Sequence, residues 1–469
     1  METVSKHGYC EEPGKRGQSK GSEKRVSQIA RQSNEPAHAR AVYRKARVYW
    51  KRGIGCVDKG LQEVLTALVH TEAQPVPYCA VGVYKHGQIL YRAGAGLRFP
   101  NAEKNLENSF GPEHLVRVAS VSKPFVALAC MQAVRLGLLD FDADVSRYLG
   151  FTLRHPRYPN NPITSRMLLS HTSSLRDGSV YSIPSGHDIR NFFLPGSDYW
   201  KGGEHFANVI PGYRETHFTP GRFFEYCNLG FGVMGTVLER VTGMRFDVLL
   251  EEWVLKPLGM TGSFNPGRLD TATRSRLTPA YRMDTATRSW VPQVDHDPLA
   301  ILSSTLPAHT PGINATVFSP QGGLRASIDD LLCFIAYMTA KEHADVRNML
   351  MTPQWTFDPA RCEGKPNGRL YNGISRLSGL GLFRTTDSFD TFGGNRIGPK
   401  SGGPRLWGHY GDAYGVLSGV LFDPRTRYGF CYVIGGSSAD PDTYTGSHSS
   451  FSRWEEQIQD AIIAAFPPE

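Results

Sequence analysis

Apolar positions recur with two different periods along the chain, and these periods distinguish predicted helices from predicted strands. Between residues 59 and 70 the apolar residues have helical spacing: Leu61, Val64, Leu65 and Leu68. Two runs rich in β-branched and aromatic residues flank residues 85–87, which predicts a β-hairpin. A second such pair flanks 423–427, and a helical pattern follows at 454–466.

The clearest helices lie between these hairpins. Every position from 125 to 131 is apolar, so the helix that opens near Ser120 is predicted to be buried on most sides. Pro124 falls in its first turn, where proline is tolerated. Another helix is predicted over 229–241, with Gly243 as its C-terminal stop. The sequence from Ser327 to Asp330 has the form of a helix-starting capping box.

Strand hairpins near both ends of the chain, with helices between them, predict an α/β protein of the α+β type. One antiparallel sheet flanked by helices is expected from residues 56–135 and 320–469. Residues 136–319 are expected to form an all-helical subdomain. Within it, 176–216 is predicted to be a long aromatic loop that covers a site and shapes its pocket; surface padding is the alternative.

Composition and charge limit the class of protein. Of the 469 residues, 40% are hydrophobic and 20% charged, which excludes a wholly disordered chain, a coiled coil and a collagen-like fibre. Residues 1–52 contain 13 Lys and Arg against 5 Glu, which accounts for the whole net charge of +8. Residues 1–55 are therefore predicted to be a basic, disordered tail that can contact anionic surfaces. The remaining, neutral chain gives no reason to expect a nucleic-acid partner.

The eight cysteines form no C-x-x-C pair, so neither a zinc ribbon nor a thioredoxin-type site is predicted. No H-E-x-x-H motif occurs, and no metal or other cofactor is expected. No apolar run approaches the length of a transmembrane helix. The N-terminal residues lack the apolar segment of a secretory signal, which predicts a cytoplasmic protein with free thiols.

Two serines compete for the role of a nucleophile. Residues 17–21 match the G-x-S-x-G pattern around Ser19, but that motif needs a strand before it and a helix after it, and neither is predicted there. Ser120 and Lys123 form an S-x-x-K pattern where a buried helix begins. Residues i and i+3 share a helix face, and a buried lysine with a lowered pKa can activate a serine hydroxyl.

Two further segments add groups that such a serine needs. Tyr226 and Asn228 precede a predicted helix and can both face one cavity, where tyrosine can transfer a proton and asparagine can hold a substrate amide or ester. His409 lies in the sequence Gly408-His409-Tyr410-Gly411, just before the last hairpin. An edge strand there could supply a backbone N–H to an oxyanion hole.

In their order and flanking sequences, these three elements resemble the serine β-lactamase and penicillin-binding-protein superfamily. The likeness is to class C β-lactamases, family VIII carboxylesterases, D-aminopeptidases and other S12 peptidases, and it extends from about residue 60 to 465. The flanking segments with counterparts in that group are 116–149, 163–175, 218–228, 254–264 and 322–334. The resemblance implies a β-lactamase/transpeptidase-like fold.

The resemblance also implies a role for each site residue. Ser120 would be acylated and Lys123 would activate it, while Tyr226 would act as general base or acid. Asn228, His409 and Gly411 would bind substrate, and the backbone N–H groups of Ser120 and Asp412 would form the oxyanion hole. Whether Lys123 or Tyr226 takes the first proton stays open. His171 would be structural.

Departures from the superfamily pattern bear on the substrate. Penicillin-recognising members have K-T-G where this chain has His409-Tyr410-Gly411, and neutral histidine anchors a carboxylate less well than lysine. Ser174 and Cys227 also replace the usual glycine and serine. The sequence therefore favours a hydrolase of small esters or amides. A β-lactamase or D-amino-acid-specific peptidase, an acyltransferase and a non-catalytic scaffold are the alternatives.

Overall fold

A computed structural model describes residues 58–297 and 309–468. The predicted basic tail, including Ser19 and its G-x-S-x-G pattern, lies outside the described residues. In the described part, no helix combines the length and the apolar content that crossing a bilayer requires. The six cysteines described there form no disulfide.

The strands, in chain order, are β1 (Tyr78–Lys85), β2 (Gln88–Gly96), β3 (Val116–Arg117), β4 (Ala280–Met283), β5 (Trp290–Val294), β6 (Arg325–Ala326), β7 (Trp355–Thr356), β8 (Leu377–Ser378), β9 (Phe383–Arg384), β10 (Phe389–Asp390), β11 (Gly393–Gly394), β12 (Trp407–Ala413), β13 (Val416–Asp423), β14 (Tyr428–Ile434) and β15 (Gly436–Ser437). Eight of them form one sheet in the order β2-β1-β14-β13-β12-β9-β8-β7. All its neighbouring strands are antiparallel.

The α-helices, in chain order, are α1 (Lys59–His70), α2 (Lys123–Arg135), α3 (Ser146–Leu149), α4 (Ser165–Leu169), α5 (Asn228–Thr242), α6 (Phe246–Leu250), α7 (Thr271–Arg274), α8 (Ile328–Thr339), α9 (Ala344–Leu350) and α10 (Arg453–Ala465). A π-helical turn over Glu251–Leu255 continues α6. The capping box predicted at the start of α8 is present, with Ser327 and Asp330 bonded reciprocally.

The main sheet is covered by helices on both faces, because alternate residues of its strands are apolar on each side. On one face, Val81 and Val83 pack in a cluster with side chains of α1 and α10. On the other, Ala80 belongs to a larger core that includes α2, α5 and α8. Gly82 allows α8 to approach the sheet, since a Cβ atom there would lie 2.8 Å from side-chain atoms of Ile328 and Leu332.

The fold predicted from the sequence is confirmed. The first hairpin is β1 and β2, the last is β13 and β14, and β1 pairs with β14, so one antiparallel sheet is built from both ends of the chain. The helices predicted near residues 59, 120, 229, 328 and 454 are all present.

The middle part of the chain needs one correction, because it is not all-helical. Strands β4 and β5 form a hairpin there, and β4 pairs in parallel with β15 from the C-terminal part. The strands of this hairpin are only four and five residues long, too short to produce a clear alternating pattern in the sequence. The boundaries expected between the two parts stay a prediction.

Residues 176–216 form the long loop that the sequence predicts, interrupted only by short 3₁₀ turns. Its aromatic side chains turn inward: Phe192 and Phe206 are buried in the main core, and Tyr181, Tyr199 and Trp200 pack against that core. The aromatic residues therefore fasten the loop to the protein body.

Candidate active site

Ser120 lies in a tight 3₁₀ turn, Ala119–Ser122, directly ahead of α2. Ala119 has φ of +47°, an unfavourable left-handed conformation for a residue with a side chain. Hydrogen bonds hold the turn in place: the Ser122 hydroxyl donates to the Ala119 carbonyl at 2.7 Å and accepts from the Leu324 N–H at 3.0 Å. The position of the Ser120 hydroxyl is thus set by a constrained backbone.

Strand β12 passes close to this turn because residue 411 is glycine. A Cβ atom at Gly411 would lie 2.5 Å from the Val118 carbonyl oxygen and 2.4 Å from the Ser418 hydroxyl. Strand β12 pairs with β9 only at Trp407 and Gly408, so its remaining residues lack a strand partner on that side. The sequence analysis considered an edge strand at this position, and β12 is an inner strand with this open stretch.

Lys123 is fully buried and its ammonium group has three oxygen neighbours. Nζ lies 2.8 Å from the Ser120 hydroxyl, 2.8 Å from Oδ1 of Asn228 and 2.9 Å from the carbonyl oxygen of Gln321. None of these is a carboxylate. The pKa of Lys123 is lowered to about 7, because burial penalises the charged amine more than the Asp177 charge favours it.

Tyr226 stands over the same serine. Burial raises the pKa of its phenol well above the usual value, and a hydrogen bond with Ser120 opposes that shift. The ring stacks on His171 at a centroid distance of 4.3 Å and on Tyr371 at 5.1 Å. Nδ1 of His171 accepts a hydrogen bond from the backbone N–H of Cys227 at 3.0 Å. This bond to the residue after Tyr226 holds the His171 ring against the Tyr226 ring.

Asn228 is oriented by a carboxylate. Its Nδ2 donates to Oδ2 of Asp177 at 2.8 Å, which turns its Oδ1 toward Lys123. The other oxygen of Asp177 accepts the Leu229 N–H at 2.9 Å in the first turn of α5, where N–H groups have no helical acceptor. One side chain therefore fixes both Asn228 and the start of the helix.

His409 is 2% exposed, and its ring nitrogens differ in their surroundings. Nδ1 lies 2.6 Å from the Tyr410 carbonyl oxygen, which can only accept, so Nδ1 carries the proton. Nε2 is then an acceptor, and no described group bonds to it. Burial and the Lys123 charge lower the pKa of His409 to about 3, so the ring is neutral at neutral pH.

A cavity opens beside Ser120 and brings the remaining predicted residues together. Ser120, Tyr226, His409, Gly411 and Asp412 all line it, while Lys123 and Asn228 lie next to Ser120 through the contacts given above. All seven residues singled out in the sequence thus surround one site. Their catalytic and binding roles stay predictions.

A comparison of the whole sequence with known protein families gives one match over most of the chain. The sequence profile of the family described as Beta-lactamase matches residues 61–445, which is most of the chain. The chain belongs to the beta-lactamase family. The resemblance seen in the sequence is confirmed.

Named relatives of this beta-lactamase-family chain act on more than one kind of bond. It is 35% identical over 188 residues to Esterase EstB of Burkholderia gladioli, covering 38% of the chain and 44% of the esterase. It is 25% identical over 334 residues to a D-aminopeptidase of Brucella anthropi, covering 71% of the chain and 52% of the peptidase. The chain thus spans about half the length of these curated relatives.

The fold is also found in a solved structure, the D-amino acid amidase from Ochrobactrum anthropi SV3 with L-phenylalanine amide. The TM-score is 0.59 at 16% identity, and the match covers 87% of the chain and 98% of the amidase. This likeness confirms the β-lactamase/transpeptidase-like fold of the chain.

The sequence did not reveal four groups at the site of this beta-lactamase-family protein: Asp177, the Gln321 carbonyl, and the acidic residues Asp442 and Glu455 that line the cavity. Asp177 lies in the long loop without a motif around it, and a backbone carbonyl leaves no mark in a sequence. The prediction that the loop shapes the pocket is not met at this cavity, since none of its lining residues falls within 176–216. The loop contacts the site through the hydrogen bonds of Asp177 with Asn228 and Leu229.

Replacing Asp177 with asparagine should shift the pH dependence of catalysis downward. If the free amine of Lys123 is needed, kcat/KM rises with pH through the Lys123 pKa, about 7. The Asp177 charge raises that pKa, so Asp177→Asn should lower the apparent pKa in a pH profile of ester hydrolysis. Asp188→Asn, in the same loop, is the control and should leave the apparent pKa unchanged. An unchanged or raised value for Asp177→Asn would contradict this role.

Proposed function

We propose that the protein is a serine hydrolase that cleaves small esters or amides through an acyl-enzyme. The observation that carries this proposal is the 2.8 Å contact between the Ser120 hydroxyl and the buried amine of Lys123. An amine with a pKa near 7, and with no carboxylate bonded to it among the described residues, is partly free base at neutral pH, and only the free base can take the serine proton.

In the first step, the Ser120 oxygen attacks the substrate carbonyl carbon while its proton passes to Lys123. The carbonyl oxygen becomes an oxyanion, which the backbone N–H groups of Ser120 and Asp412 would bind. Lys123 suits the role of first base better than Tyr226, because burial keeps the Tyr226 phenol protonated at neutral pH. This assignment chooses between the alternatives that the sequence leaves open.

Collapse of the tetrahedral intermediate breaks the bond to the leaving group, which must gain a proton. The Tyr226 hydroxyl can donate that proton, and the Lys123 ammonium, whose Nζ lies 4.8 Å from the centre of the Tyr226 ring, then returns the serine proton to the phenolate. Water then attacks the acyl-Ser120 carbonyl, loses a proton to the same pair, and releases the acid. Asn228 would hold the acyl carbonyl or its neighbouring amide.

The chemistry of the cavity does not suit a β-lactam carboxylate. His409 is neutral and presents an acceptor where penicillin-recognising relatives place a lysine. Tyr410 fills the position of their threonine, and its hydroxyl has no bonded partner among the described residues. Ester or amide hydrolysis therefore remains the main proposal, ahead of lactam or D-peptide cleavage and of acyl transfer to an alcohol.

Acid-quenched mixtures examined by intact mass should separate these activities. p-Nitrophenyl butyrate should place one butyryl group on Ser120 at short times, whereas benzylpenicillin should form an adduct far more slowly. His409→Lys should speed penicillin acylation at least about tenfold, since a cation at that position attracts the carboxylate. Faster acylation by penicillin than by the butyrate ester in the unaltered protein would instead favour a β-lactamase or penicillin-binding role.

A cytoplasmic location and contact of the basic tail with anionic surfaces are part of this proposal. They rest on the sequence, since the tail lies outside the described residues. Retention on immobilised DNA at increasing salt, with and without residues 1–50, tests the tail, because phosphate contacts weaken steeply as salt rises.

A further inference from the structure

The cavity beside Ser120 is acidic. Its acidic lining residues are Asp412, Asp442 and Glu455, and none of the lysines or arginines that the structure describes lines it. Its one histidine, His409, is neutral. A substrate that enters meets an excess of negative charge within the same cavity as the nucleophile.

The second notable feature of the cavity is a buried hydrogen-bond acceptor on His409. Nε2 of His409 is a lone-pair acceptor on a ring that is 2% exposed, and it has no bonded partner among the described residues. Leaving a buried polar group unpaired costs free energy, so such a group in a substrate cavity points to a ligand that donates a hydrogen bond. This observation is independent of the carboxylates.

Among the described residues, no positively charged side chain lines the cavity beside these carboxylates. Desolvation by the surrounding protein and, as a smaller effect, the charge of Asp442 raise the pKa of Asp412 to about 6. Arg282 opposes that shift from β4, but it does not line the cavity. Glu455, at the start of α10, is bonded to Ser452 and Tyr432, and burial raises its pKa to about 7. Asp442 accepts a hydrogen bond from the Asn372 amide, and Asp412 and Asp442 are the exposed acidic groups of the cavity.

Resting on the proposed function, we propose that this cavity binds an ammonium group, so that the preferred substrates are small amino esters or amino amides. Asp412 and Asp442 supply the counter-charge, and Nε2 of His409 accepts a hydrogen bond beside the nucleophile. A cation placed between like charges relieves their repulsion and gains from both, which a neutral substrate of the same shape cannot do. The negative charges of Asp412 and Asp442 also repel substrates that carry a carboxylate.

The test compares two substrates that differ only in this group. Alanine p-nitroanilide, in both enantiomers, carries an ammonium group where isobutyryl p-nitroanilide carries a methyl group. For the better enantiomer, Asp442→Asn should reduce the ratio of kcat/KM for the amino substrate over the neutral one about 10- to 100-fold. The ratio of ratios cancels the different intrinsic reactivity of the two anilides. Glu107→Gln, which removes an exposed carboxylate far along the chain, should leave the ratio unchanged.

A binding measurement separates failure of this inference from failure of the proposed function. Calorimetry with Ser120→Ala, which cannot be acylated, should show tighter binding of alaninamide than of isobutyramide, and Asp442→Asn added to that variant should abolish the difference. Equal binding of both amides would overturn the ammonium site even if esters are hydrolysed. Selective binding without any turnover by the unaltered protein would support the site and remove the hydrolase proposal.

Discussion

Ser120→Ala should lower kcat/KM for p-nitrophenyl butyrate by at least about a thousandfold, because it removes the proposed nucleophile and with it the acyl-enzyme route. The residual rate would come from substrate binding and oxyanion stabilisation alone. The fold should survive, since the Lys123 amine keeps its contacts with Asn228 and with the Gln321 carbonyl. An unchanged thermal midpoint would show that the loss is chemical.

Ser19→Ala provides the matched control, because Ser19 lies in the chain's other serine motif. It should hydrolyse the ester at the full rate. A Ser120→Ala protein that retained the rate within about tenfold would require another nucleophile and would overturn the mechanism.

Tyr226→Phe should reduce hydrolysis by about 100- to 10,000-fold for an alkyl ester, the usual range for a lost general acid or base. The change removes one oxygen and keeps the ring that stacks on His171 and Tyr371. If the phenol protonates the leaving group, the loss should be larger for ethyl butyrate than for p-nitrophenyl butyrate, since p-nitrophenolate leaves without a proton. Steady-state kinetics with both esters measure this difference.

Tyr371→Phe is the control for the stack of rings. It removes a hydroxyl from the neighbouring ring, which is 52% exposed, and should cost much less than Tyr226→Phe. Equal losses in the two variants would mean that the aromatic stack matters and the Tyr226 proton does not.

The residues that the sequence predicted share one property: each lies in or beside a short local sequence pattern. Ser120 and Lys123 are three residues apart, and the turn that carries them leads directly into α2. The sheet could be predicted as well, because the strands of both hairpins are seven to nine residues long and rich in apolar residues.

Tertiary contacts account for what the sequence could not show. Asp177 binds Asn228 across 51 positions, and the Gln321 carbonyl reaches Lys123 across 198. The acidity of the cavity arises because β12 and the segment before α10 meet at one opening, which no single stretch of sequence displays. The β4–β5 hairpin was missed because part of its support comes from β15, late in the chain.

The pairing of β1 with β14 also has a consequence for biosynthesis. The hairpin of β1 and β2 leaves the ribosome early, but β14 follows roughly 340 residues later, a wait of roughly 20 to 70 s at the usual rates of translation. During that interval, strand β1, whose side chains are almost all buried in the finished protein, has one edge without a partner. Newly made chains are therefore exposed to aggregation until β14 has been synthesised, and chaperones that bind unfinished chains should raise the yield of folded protein.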